Sequence, residues 1–457
     1  MARRRVLRNG FVLTMDDQIG DLPRADVLIE DDAIREVGPD LAVTDAEEID
    51  ATGRIVIPGF VDTHRHTWET ALRGCAPNST LDDYFVEVLD NFAPVYSPQD
   101  VRVSNHAGAL ECLNAGITTL VDWSHINNTP EHPDAAIDGL RKSGIRAQYA
   151  YGSANTSLND YWNQSTIAMP ADDVRRVRDT YFASDDGLLT MALATRGPGF
   201  CVDDVVVAEW GLARELDLPI TVHVAMGRLA GRFAMVHNLN RLGLLGPDTT
   251  YVHACYLDDE EWQLVADTGG NVSIAAQIEA QMGHGWPPTG PCSRHGVPAS
   301  LSIDVVTTNP GDMFTQMRAA FGTERVQVNA DCWQQDVPLP ETAPTARDML
   351  RLATIDGARV AGLSDRTGSI TPGKQADLVL IDGTGPATAP MIDPVATVVL
   401  SADVGTVESV LVAGEFRKRD FRLVDDFTPV RHELEAARDR LANQVPEKPS
   451  WPVLAGV

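Results

Sequence analysis

Residues 55–66 read I-V-I-P-G-F-V-D-T-H-R-H, an apolar extended run that ends in His64 and His66. Positions i and i+2 of an extended chain face the same side, so the two imidazoles converge and can share one ion. A strand ending in metal-type donors suits a (β/α)8 barrel, which displays its chemistry at the C-terminal ends of its strands. The plain alternative is a pair of hydrogen-bonded histidines at an ordinary strand end, and the strands that follow decide between the two.

Downstream, strand-like runs alternate with amphipathic helical stretches. The order is GITTLVDW (116–123), DAAIDGLRKSG (134–144), IRAQYAYG (145–152), DDVRRVRDTYFA (172–183), LLTMALATRG (188–197), DDVVVAEWGLARELD (203–217) and PITVHVAM (219–226). Such alternation signals repeated βα units and a parallel sheet, and about 300 residues of them match one (β/α)8 barrel. A doubly wound open sheet is the rival, but no G-x-G-x-x-G turn follows any strand, so a dinucleotide site has no support. The expected fold class is therefore α/β, a TIM barrel over residues 58–367.

Period-2 alternation marks the two flanks. RVLRNGFVLTM (5–15), ADVLIEDDAIREVG (25–38) and GRIVIPG (53–59) precede the barrel, with turn signals at Asn9-Gly10 and Glu30-Asp31-Asp32. GSITPGKQADLVLIDG and residues 395–424 follow it. These segments, 1–57 and 368–430, are expected to form one small composite β-sandwich, with a C-terminal helix and tail over 431–457.

Three further strand ends carry polar groups: His223 in PITVHV, His253 in TTYVHA and Asp304 in ASLSID. His66 and His223 are 157 residues apart, His223 and His253 are 30, and His253 and Asp304 are 51. At roughly 40 residues per unit, these spacings assign the groups to strands one, five, six and eight.

Composition removes several classes of partner. The 457 residues carry a net charge of −28, with 44% apolar and 22% charged residues. That field repels phosphate backbones and anionic lipid surfaces, and no Lys/Arg cluster counters it locally, so nucleic acid and membrane are not expected partners. No apolar run approaches the roughly 18 residues of a spanning helix, and MARRRVLRNG lacks a signal-peptide core, so the expected location is cytoplasmic. The six cysteines show no C-x-x-C spacing and read as buried thiols.

With these motifs in order, the chain resembles the amidohydrolase superfamily, in its cytosine deaminase and triazine chlorohydrolase branch. The resemblance rests on PGFVDTHRH, TVHVA, YVHA, SIDV with GDMFTQMRAA, and GSITPGKQADLVLID, and it covers nearly the whole chain. It implies a divalent metal held by His64, His66, His223 and Asp304, with His253 beside the water or the substrate. One metal is expected, because no lysine ends the fourth strand in LLTMALATRGPGF. Zn2+ suits the donor set, with Fe2+ as the alternative. The implied chemistry is hydrolysis of a C–N or C–X bond in a small, neutral or cationic, nitrogen-containing molecule, by a water whose pKa the ion lowers from 15.7 to about 7. Asp304 takes the water's proton and His253 orients the water or polarises the electrophile. Assembly as a homo-oligomer, dimer or tetramer, is a further expectation of the family.

One departure matters. Relatives carry a proton-shuttling glutamate three residues after the strand-five histidine, and here that residue is Met226. A thioether neither holds nor releases a proton near neutral pH. Either another group replaces it, or the reaction is a non-hydrolytic cyclisation, dehydration or C–C cleavage on the same scaffold. A non-catalytic binding protein is a third reading, disfavoured by the retained donors. Glu279, in SIAAQIEAQMGHG (273–285), is the best substitute, with a solvated loop charge as the alternative. Further candidates for substrate contact are Trp68, Trp123, His125, Arg196, Gln277, His284 and Thr307. Trp123 also reads as core, and Glu69 with Arg73, four apart, reads as an internal ion pair.

Overall fold

The computed structural model describes residues 3–340 and 344–445. The chain begins with β1 (Arg4–Leu13), β2 (Asp21–Glu30), β3 (Ala33–Gly38), β4 (Glu47–Asp50) and β5 (Arg54–Pro58). Eight barrel strands follow: β6 (Phe60–Arg65), β7 (Ile117–Ser124), β8 (Arg146–Gly152), β9 (Leu189–Thr195), β10 (Ile220–Val224), β11 (Thr249–His253), β12 (Asn271–Ile274) and β13 (Ala299–Leu301). The chain then returns through β14 (Leu378–Asp382), β15 (Val407–Val412), β16 (Glu415–Arg419) and β17 (Arg422–Leu423).

Neighbouring barrel strands pair in parallel in the order β6 to β13. The ring closes through residues of the site itself. Arg65 bridges Asp304, His66 N–H donates to Asp304 O at 2.8 Å, and Asp304 N–H donates to His64 O at 2.9 Å. The whole of β7 and β8 is buried, as expected of strands with helices on one face and the barrel interior on the other. That interior is filled. Val61, Val121, Trp123, Ala150, Ala192 and Ala194 pack with Ala358, Ala361 and Leu363. Beneath the site, Thr63 Oγ1 meets Ser273 and Ser300 hydroxyls at 2.7 and 2.6 Å.

The strands from both ends of the chain join in one mixed sheet, ordered β17-β16-β15-β14-β5-β1-β2-β3, with β4 on β1. Its own core draws Leu7, Val12, Val27, Ile29, Val56, Leu378, Leu380 and Leu411 from both halves. Asn9-Gly10 proves not to be a turn. The β1–β2 register shifts there, Asn9 has φ 62°, and its N–H donates to Asp26 at 2.9 Å, so the pair forms a bulge inside β1. The last helix is Phe427–Gln444, starting from the Asp426 cap rather than at 431. The expected tail at 446–457 lies outside the described residues. All six cysteines are free. Among the described residues, no helix is long and apolar enough to cross a membrane.

Candidate metal centre

Four strand ends bring their donors to one point. His64 Nε2 stands 3.1 Å from Asp304 Oδ1 and 3.2 Å from His223 Nε2. His66 Nε2 is 3.4 Å from Asp304 Oδ1, and His253 Nε2 is 3.8 Å from Asp304 Oδ2. Donor atoms of His64, His223, His253 and Asp304 all lie within 4.8 Å of one another. Ligands about 2.0–2.1 Å from a tetrahedral zinc are about 3.3–3.4 Å apart, close to the 3.1, 3.2 and 3.4 Å separations of His64–Asp304, His64–His223 and His66–Asp304, so these donors fit a divalent metal.

The electrostatics agree. Burial pushes His66 down to about 3, and holds His64 and His223 below their ordinary value, so these imidazoles are neutral donors. Burial opposes the Asp304 carboxylate, yet the His64 hydrogen bond and the surrounding imidazoles hold it far below the usual carboxylate range. His66 Nδ1 donates to Trp123 O at 2.9 Å, which leaves Nε2 as the acceptor facing the cluster. His253 and Asp304 take left-handed φ of 72° and 69°, a strain of the kind that clusters at functional sites.

Above the cluster lies about 370 Å³ of empty space, part of it open to solvent. Its polar lining comes from His66, His125, His223, His253, His284, Asp304 and Tyr84. Leu81, Phe85, Leu89, Trp162, Met226, Met282 and Val305 supply the apolar wall. Met226 thus faces the pocket.

The sequence-predicted contacts divide. His125 and His284 line the pocket, and burial pushes His284 down to about 3. Trp68 is buried behind it, its indole N–H donating to His125 Nδ1 at 3.3 Å, which leaves His125 Nε2 as the protonated nitrogen. Trp123 sits one layer down the barrel, its ring 4.3 Å from that of His223, as core rather than wall. Arg196 is buried away from the pocket, paired with Glu209 at 2.8 Å. Gln277 and Thr307 do not line the pocket; Gln277 N–H donates to Gln316 at 3.1 Å, and Thr307 reaches Glu69 at 3.5 Å. Glu279 is fully buried behind His253, accepting from its Nδ1 at 3.2 Å and from Ala275 N–H at 2.8 Å. Burial raises its carboxyl.

The Glu69–Arg73 pair does not form. Residues Thr67–Leu72 make a 3-10 turn, which carries i and i+4 to different faces. Arg73 pairs instead with Glu111 at 2.5 Å, and buried Glu69 accepts the Tyr84 hydroxyl. Tyr84 and its neighbours escaped notice in the sequence. Their one signal is the length of chain between β6 and β7, far beyond an ordinary βα connection.

The amidohydrolase family model matches residues 55–417. The chain is 26% identical over 450 residues to a 5'-deoxyadenosine deaminase of Methanosarcina mazei, covering 96% of this chain and 99% of that one. It is 29% identical over 428 residues to a 5-methylthioadenosine/S-adenosylhomocysteine deaminase of Symbiobacterium thermophilum, covering 91% and 94%. In fold it resembles an adenosine deaminase from Xanthomonas campestris with bound zinc, at TM-score 0.84 and 24% identity over 96% of this chain and 98% of that one. It is equally close in fold to the zinc complex of atrazine chlorohydrolase TrzN from Arthrobacter aurescens, at TM-score 0.84 and 24% identity over 95% and 100%. With a filled eight-stranded barrel, a histidine–aspartate metal centre at its mouth and a match across most of its length, the chain belongs to the amidohydrolase family.

Proposed function

We propose that this metal-dependent hydrolase cleaves a C–N bond, or a C–X bond of like polarity, in a small nitrogen heterocycle, using one zinc held by His64, His66, His223 and Asp304. The observation that carries the reading is the convergence of these residues at the open end of the barrel, with donor atoms 3.1 Å apart between His64 and Asp304, 3.2 Å between His64 and His223, and 3.4 Å between His66 and Asp304. The names of the relatives, deaminases of adenosine derivatives and a triazine chlorohydrolase, point to the same class of substrate. Bound there, zinc supplies an activated water and polarises the electrophilic carbon.

The chain's own groups do the rest. Asp304, held ionised by the imidazoles around it, accepts the water's proton. His253 stands beside Asp304, and Glu279 fixes its tautomer, placing the proton on Nδ1 and leaving Nε2 to face the reacting atoms. Glu279 therefore acts through His253 as a positioning residue. His125 presents an N–H into the pocket, and the aromatic and aliphatic wall excludes water from a flat ring.

Ammonia release from a panel of aminated purines, pyrimidines, pterins and triazines tests the proposal. Release from a panel member, abolished by chelation and restored by zinc, is expected. Full metal occupancy with no release from any panel member contradicts the C–N reading and leaves C–X hydrolysis or the second reading, a non-hydrolytic lyase or cyclase, which Met226 in the pocket wall supports. Heavy-oxygen water separates the two, since only hydrolysis leaves the label in the product. Cytoplasmic residence and assembly as a dimer or tetramer belong to the same proposal, resting on composition and resemblance.

A further inference from the structure

Met226 places a thioether where relatives hold an acid, and the group beside it is His284. The residue after Met226, Gly227, donates its N–H to His284 O at 2.6 Å, so the two loops run side by side. Both side chains line the cavity. His284 is buried, at 2% exposure, yet neither ring nitrogen has a hydrogen-bond partner among the described residues. That is rare for a buried imidazole, because leaving such a group unsatisfied is costly. Three other pocket histidines are committed through Nδ1, His66 to Trp123 O, His125 to Trp68 and His253 to Glu279, and His223 faces the metal donors through Nε2. The His284 ring lies 4.6 Å from that of His253, edge to face, beside the metal donors.

The backbone is built to hold it there. Gly283 has φ 76° and Gly285 φ 141°, both left-handed, and a Cβ on Gly285 would meet the Tyr256 ring at 2.6 Å and Cys255 Cβ at 2.8 Å. Only glycine lets the chain pass that close, and the imidazole between the two glycines is thereby turned into the pocket.

We propose that His284 is a catalytic residue that delivers the proton to the leaving nitrogen, in place of the carboxylate missing at Met226. The inference rests on the hydrolytic reading above. The water oxygen forms the C–O bond, and the proton it gives to Asp304 passes to His284, whose ring begins as the neutral imidazole. The C–N bond breaks, and the nitrogen leaves with the bonding electron pair and that proton from His284. One water is consumed and the side chain is unchanged. A halide leaves as a stable anion and needs no such proton.

The test uses the zinc-loaded full chain and its His284→Gln variant on two 1,3,5-triazines with the same alkylamino side chains, one bearing an amine and one a chloride at the reacting carbon. The variant should keep its zinc and its KM, lose about 100-fold or more in kcat on the amine, and lose far less on the chloride. Equal losses on both substrates, as a merely structural role would give, overturn the proposal, and so does an undiminished rate on the amine. If the wild type turns over neither triazine, the triazine form of the heterocycle reading fails, and a crystal structure of the zinc-loaded protein decides on His284 separately. A ring nitrogen within about 3.2 Å of the water at the zinc, or of one further water bonded to it, supports the role. A ring turned to bond a protein carbonyl or carboxylate overturns it.

Discussion

Glu279 illustrates how one buried carboxylate can govern a site it does not touch. It lies behind His253 rather than in the cavity, and its second oxygen has no partner among the described residues. Glu279→Gln keeps the shape but loses the charge that supports the imidazole, so turnover should fall about 10–100-fold with metal content unchanged. Kinetics beside elemental analysis would check both halves, and an unchanged rate would remove Glu279 from the mechanism. At this scale the sequence was legible where residue type and strand end coincide, as for His64, His66, His223, His253 and Asp304. Strand-end position alone does not separate wall from core for Trp123 and Arg196, the first of which already reads as core in the sequence. Both lie at strand ends, but one layer of depth separates Trp123 in the core from His125 at the mouth, and Arg196 finds a buried partner in Glu209 that no local spacing announces.

Elements set what surrounds the metal donors. The stretch from Leu81 to Leu89, a helical turn running into a π-turn, supplies four pocket residues and is tied down by Leu81 N–H on Met282 O at 3.0 Å. Nothing in its composition marks it as a pocket wall, because long connections carry no periodicity that points to a neighbour. The Gly283-His284-Gly285 segment is the opposite case, where two glycines flag special backbone. Gly285→Ala forces an L side chain into φ 141° and against Tyr256, and should cost about 1–3 kcal/mol of stability. Denaturant unfolding would measure it, and a cost near zero would mean that the segment readily takes another path.

Across the molecule, the sheet built from both ends of the chain is locked to the barrel by one buried ion pair. Arg146, at the start of β8, reaches Asp377 with two bonds of 2.8 and 3.0 Å, and Asp377 also accepts Ala413 N–H at 2.7 Å. Removing one partner strands a buried charge, so Arg146→Ala should destabilise by about 3–5 kcal/mol, whereas Arg146→Met with Asp377→Leu should cost much less. Urea unfolding of the three proteins checks the order, and equal losses would contradict it. This lock was invisible in the sequence, since its two ends are 231 residues apart, while the barrel itself was readable from repeated local pattern. The most direct test of the account as a whole is the metal content of the purified wild-type chain and of His223→Ala by elemental analysis. About one divalent ion per wild-type chain and almost none in the variant is the expected result. A wild-type chain that binds no metal, or a variant that holds it equally well, would contradict it.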